Sequence, residues 1–112
     1  MKKNETVVCK DGFRMSVQAN EYAYCFPRVN NAKKYKEVEI GYPSHGEPLL
    51  EQYAEDPTKP TRTVYAYVPV ALVTLVITKH GGMISGELPD GVLVYDKAGQ
   101  NVSSTSQANE LH

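Results

Sequence analysis

The chain has no tryptophan, two cysteines, three histidines and three arginines in 112 residues. Each scarcity removes a class of function. Two thiols, Cys9 and Cys25, do not make a disulfide framework or a zinc site. They read as buried small hydrophobes in a reducing cytoplasm. His45, His80 and His112 are too scattered for metal-ligand spacing. Lys and Arg number 12 against 13 Asp and Glu, a formal charge of −1, so no basic stripe is available to grip long nucleic acid. The longest apolar run, VPVALVTLVI, is roughly half the length that crosses a bilayer, so no membrane partner is expected. The opening MKKNETVV has no apolar segment of the signal-peptide kind. Glycines occur in KHGG and PDGV, but neither is a P-loop or a dinucleotide fingerprint, so no cofactor is expected. The acids form no cluster beyond Glu55-Asp56, so metal-dependent hydrolysis finds no footing.

What is present is a single small domain, expected over residues 1–97, with a polar tail over 98–112 that needs a partner to become ordered or stays disordered. A chain this short buries proportionally little surface, and a homo-oligomer is expected. TVVCKDGFRMSVQA reads as a hairpin around a two-residue Asp11-Gly12 turn. That register pairs Val8 with Met15 and puts Val8, Phe13, Met15 and Val17 on one face. EVEIGYP, residues 37–43, alternates Val38, Ile40 and Tyr42 against Glu37, Glu39 and Gly41, a strand with one wet face. Ser44 and Glu47 have the form of a capping box ahead of a short helix at about 46–55. RTVYAYVP is a β-branched and aromatic strand in which Tyr65 and Tyr67 share a face. PVALVTLVITKH reads as a helix over about 69–80, started by proline and closed by Lys79, His80 and Gly81. Residues 83–96 read as a second hairpin around Pro89-Asp90-Gly91. The result is an α+β domain with a mostly antiparallel sheet, an N-terminal hairpin and two short helices.

The stretch NEYAYCFPR, residues 20–28, concentrates three rings, a thiol, a proline and an arginine. Two readings stand side by side. In one, Tyr22, Tyr24 and Phe26 pack into the core or a subunit interface and Arg28 pairs with an acid such as Glu39. In the other, the rings stack on a base and Arg28 forks onto a phosphate. Tyr65 and Tyr67 are natural neighbours of such a pocket or interface. A Cys25–His80 nucleophile pair requires that the fold bring the two within hydrogen-bond reach; no catalytic residue is expected.

CKDGFRMSVQANEYAYCFPR, YKEVEIGYPS and TVYAYVPVALVTLVITKHGG together resemble small bacteriophage proteins, and among these the anti-Thoeris sponges. The resemblance spans roughly residues 6–82. It implies a phage anti-defence protein that sequesters a cyclic nucleotide or cyclic ADP-ribose-type immune signal without cleaving it. It implies Arg28 on a phosphate, Tyr22, Tyr24 or Phe26 on adenine, and Arg14 and Arg62 as secondary contacts. No arginine follows Arg62, a departure if the family's pocket uses a late basic residue. The competing expectation is a phage inhibitor of a host nuclease or CRISPR effector, acting through Glu37, Glu39, Glu51 and Glu55. A small virion or assembly component is a third.

Overall fold

A computed structural model describes residues 3–94, and the tail expected over 98–112 lies outside them. Five strands form one antiparallel sheet in the order β4-β3-β2-β1-β5. They are β1 (Val7–Cys9), β2 (Arg14–Gln18), β3 (Glu37–Gly41), β4 (Val64–Pro69) and β5 (Met83–Ser85). A 3₁₀ helix spans Pro48–Tyr53 and the helix α1 spans Val70–Lys79. The α+β class and the antiparallel sheet agree with the sequence reading, whereas several local details do not.

The β1–β2 connection has three residues, not two. Cys9 N–H donates to Phe13 O at 2.8 Å, closing Lys10-Asp11-Gly12. Asp11 Oδ1 accepts the Phe13 N–H at 2.9 Å, and Gly12 sits at φ +95, the left-handed position such a loop requires. The extra loop residue moves the register by one, so Val7 faces Met15 and Val8 faces Arg14. Val7 and Cys9 therefore enter the core with Phe13, Met15 and Val17, and Val8 turns to the other face.

A second irregularity lies between β3 and β4. Ile40 pairs with Tyr65 and Val38 with Val68, so β4 carries one residue more than β3 over this stretch. The extra residue is a β-bulge, with Tyr67 at φ +53. Tyr65 and Val68 both point into the core, and Tyr67 turns outward. The expected sharing of a face by Tyr65 and Tyr67 is thereby undone.

The helix expected at 46–55 is a six-residue 3₁₀ segment. Its N-cap is Glu47, whose carboxylate accepts the Leu49 N–H at 2.9 Å. Ser44, expected in that role, instead accepts the Arg14 N–H on its hydroxyl at 2.9 Å. α1 buries Val73, Val76 and Ile77 and ends in a Schellman turn, with Gly82 N–H on Ile77 O at 2.9 Å and Gly81 N–H on Thr78 O at 3.1 Å. Gly81, at φ +91, is the residue this geometry selects.

The hairpin expected over 83–96 is replaced by a different arrangement. Met83–Ser85 pairs with β1, and residues 92–94 are not a strand. They pack inward instead, with Val92 and Val94 buried against the core shared by sheet, α1, Leu50 and Tyr35.

Candidate functional site

Residues 20–28 form a loop pegged at two points into the core. Ala23 and Cys25 are buried, and the rings that alternate with them turn outward. Asn20 Oδ1 holds the start of the loop by accepting the N–H groups of Tyr22 and Ala23, both at 2.8 Å. The Cys25 thiol donates to Asn20 O at 3.2 Å, and burial pushes its pKa up. The Phe26–Pro27 peptide is cis, and Phe26 bridges to Glu37 through its backbone.

The bulge on β4 docks this loop to the sheet. Tyr67 N–H donates to Tyr24 O at 3.0 Å, and Tyr24 N–H donates to Glu39 Oε2 at 3.1 Å. The Tyr24 and Tyr67 rings lie 6.1 Å apart. The Arg28 guanidinium sits 5.3 Å above the Tyr24 ring centroid and donates through Nη2 to Tyr22 O at 3.2 Å. Tyr22 is 74% exposed, Phe26 53% and Tyr67 42%. The outcome is a cation over the Tyr24 ring, with Tyr67 beside that ring and the exposed Tyr22 and Phe26 on the same loop.

Several sequence expectations fail here for identifiable reasons. Arg28 makes no ion pair with Glu39 or any other acid among the described residues, because Glu39 is spent on the Tyr24 N–H. Tyr65 is not part of the cluster. The bulge sends it inward, where it is 1% exposed and its hydroxyl donates to Pro60 O at 2.6 Å. Arg62 stands in the loop before β4 and Arg14 at the start of β2, and no hydrogen bond, ion pair or ring contact joins either to the cluster. Glu37 and Glu39 lie on β3, a strand with neighbours on both sides, so they do not form an acidic sheet edge with Glu51 and Glu55.

A second constellation has no counterpart in the sequence reading. His80, just past α1, places Nδ1 at 2.7 Å from Asp11 Oδ2 and Nε2 at 2.7 Å from Glu47 Oε1. Lys79 Nζ donates to Glu47 Oε2 at 2.8 Å, and the Phe13 ring stacks on His80 at 4.0 Å. Only the imidazolium can donate from both ring nitrogens, so this geometry calls for a charged His80. Partial burial works against that charge, but the hydrogen bonds to Asp11 and Glu47 prevail and raise its pKa above the usual histidine value. For Glu47, burial pulls upward, and the Lys79, Leu49 and His80 hydrogen bonds together hold its carboxyl below the usual range. Both histidine nitrogens are consumed, so His80 has none left for Cys25, whose thiol points to Asn20 O and Pro27 O. The network clamps the β1–β2 turn, the start of the 3₁₀ helix and the end of α1. Sequence separations of 69 and 33 residues kept it out of reach of any local motif. No group of three His, Cys, Asp or Glu side chains among the described residues is placed to hold a metal ion. No helix among them is long and apolar enough to cross a membrane.

The chain matches no family model, no curated protein and no solved structure, so the likeness to phage signal sponges rests on the quoted stretches alone.

Proposed function

We propose that the chain is a binding protein that captures a small anionic ligand carrying a flat base, of the cyclic nucleotide or cyclic ADP-ribose type, and leaves it intact. One observation carries the reading: the Arg28 guanidinium, with no carboxylate partner among the described residues, lies over the Tyr24 ring, which neighbours Tyr67, on a loop whose Tyr22 and Phe26 are exposed. A guanidinium held on a ring face keeps most of its N–H groups for phosphate oxygens. A base stacked on an exposed ring gains roughly 1–3 kcal/mol. The cluster is open on one side, and a second copy meeting it would enclose the ligand, which is the part a homo-oligomer plays here. In the phage setting that the resemblance implies, tight capture lowers the free immune signal in the host cytoplasm, and no catalytic step is needed.

Calorimetry with a panel of cyclic mono- and dinucleotides and cyclic ADP-ribose isomers tests this reading. The expected result is saturable heat with at least one member and a loss of at least about tenfold in affinity for Arg28→Ala, the scale of a hydrogen bond to a charged group. No heat from any member would remove the proposal.

A further inference from the structure

On another side of the loop lies an open hollow of about 640 Å³, lined by Asn20 but by none of the exposed rings. Its polar lining is Asn4, Asn20, Asn30, Asn31 and Asp90, with Leu88 and Pro89 as apolar surface. The volume falls in the range of small-molecule sites.

The walls are braced by Tyr35, which is buried. Its hydroxyl donates to Val29 O at 2.6 Å and accepts the Ala32 N–H at 3.2 Å, which fixes the 29–32 wall. Its own N–H donates to Asp90 O at 2.8 Å. Gly91 lies so close to Tyr35 that an added Cβ would stand 2.4 Å from Tyr35 O. The third wall is tied in by Asn30 and Glu21: Asn30 Nδ2 donates to Glu21 Oε2 and Asn30 Oδ1 accepts the Glu21 N–H, both at 3.0 Å. Three wall segments are thus held in place before any ligand arrives.

The hydrogen-bonding capacity left over is specific. Asn20 spends its Oδ1 on the backbone and keeps its Nδ2 donors. Asn4 spends Nδ2 on Val17 O at 3.1 Å and keeps Oδ1 as an acceptor. The Asn31 amide and the Asp90 carboxylate are exposed and make no side-chain hydrogen bond among the described residues. The lining offers both donors and acceptors, and among the described residues no cationic side chain lines it and Asp90 is its one charge. Phosphates and carboxylates are disfavoured there. Hydroxyl groups, each both donor and acceptor, match the lining.

We propose that this hollow is a binding site for a neutral, hydroxyl-rich small molecule, a saccharide or polyol. It is separate from the ring cluster and does not depend on that reading. The test is a nitrogen-15 NMR titration of the full chain with glucose, galactose, trehalose and myo-inositol, beside glucose 6-phosphate and inorganic phosphate. At least one neutral probe should shift the Asn20 and Asn31 side-chain amides and the backbone amides of residues 88–91 saturably, with a dissociation constant in the millimolar range or tighter. Asp90→Ala and Asn31→Gly should each weaken that binding at least about fivefold with an unchanged melting temperature, since neither side chain makes an internal hydrogen bond and glycine keeps the positive φ of Asn31. Arg28→Ala should leave it unchanged. Binding by inositol alone or by sugars alone supports the site and separates polyol from saccharide. The proposal is overturned if no neutral probe moves those signals at roughly 50 mM. It is equally overturned if the phosphorylated probes move them more strongly, or if the shifts survive both substitutions.

Discussion

Glu47 Oε1 and His80 Nε2 stand 2.7 Å apart, joining two chain segments whose side chains otherwise have little reason to meet. The Glu47 side chain is almost fully buried, and Lys79 and His80 together balance its charge. Its removal takes away the N-cap of the 3₁₀ helix and two charge-assisted hydrogen bonds, while Lys79 stays half exposed and His80 keeps Asp11. Glu47→Ala should destabilise the fold by about 2–3 kcal/mol. Urea denaturation followed by circular dichroism measures it. A loss below about 1 kcal/mol would show that the clamp contributes no more than a surface pair.

The same clamp predicts a pH dependence. The folded pKa of His80 lies above its ordinary value of 6.5, so its contribution is complete below that value and disappears as pH rises through the raised one. Asp11 is shifted the other way, held below 3.8 first by the Phe13 N–H and then by His80. Glu47 is likewise held below 4.5. Those two contributions are present above their ordinary values and fade as pH falls. Lys79 and, at longer range, His45 also face this group, and Lys10 packs against the neighbouring Gly81. Stability should therefore be greatest at mildly acidic pH and decline as pH rises from the ordinary histidine value of 6.5 through the raised folded one. Melting curves across that interval should slope downward for the wild type and flatten for His80→Gln; parallel slopes in both would refute the assignment.

At Tyr67 the backbone is left-handed, a conformation glycine adopts freely and β-branched residues resist. Tyr67→Val should be less stable than Tyr67→Gly by about 1–2 kcal/mol, the reverse of ordinary strand preference. Equal stabilities would mean that the bulge relaxes away when the ring is removed. Tyr67→Gly also keeps the N–H bonded to Tyr24 O, so it tests the ring's part in ligand capture apart from the loop's docking.

Two glycines at similar φ make a matched comparison. At Gly12, φ +95, an added Cβ meets nothing within 4 Å; at Gly91, φ +109, it meets Tyr35 O at 2.4 Å and Tyr35 N at 2.9 Å. Gly12→Ala should cost about 1 kcal/mol of conformational strain. Gly91→Ala must also move backbone against backbone, and it should cost at least about 3 kcal/mol or prevent folding. Paired denaturation curves give the difference directly.

Apolar alternation in β2 and β3 was readable because it depends only on neighbours two residues apart. Of the α1 face read from the sequence, Leu72, Val73, Val76 and His80, Val73 and Val76 are buried and Ile77 joins them in place of the other two, while Gly81 closes the helix as its position suggests. The same locality explains the errors. Asp-Gly fits a two-residue turn and a three-residue loop equally well, and the choice falls to whether Val7 and Cys9 or Val8 can be buried against Met15 and Phe13. Ser44 and Glu47 satisfy a capping pattern, but Glu47 caps the 3₁₀ helix itself while paired with a lysine and a histidine more than thirty residues away. The ring cluster was half legible. Tyr22, Tyr24, Phe26 and Arg28 sit on one short loop, whereas the parting of Tyr65 from Tyr67, which alone stays beside them, required knowing that β4 holds one residue more than β3.

Periodicity along the chain was enough to make this an α+β domain with a mostly antiparallel sheet. Which side chains meet across that sheet, which strand bulges, and which histidine is gripped by two carboxylates were settled by contacts between distant segments. Those choices turn on burial and on leaving no polar group unpaired, and both are properties of the assembled structure, not of any short stretch of it.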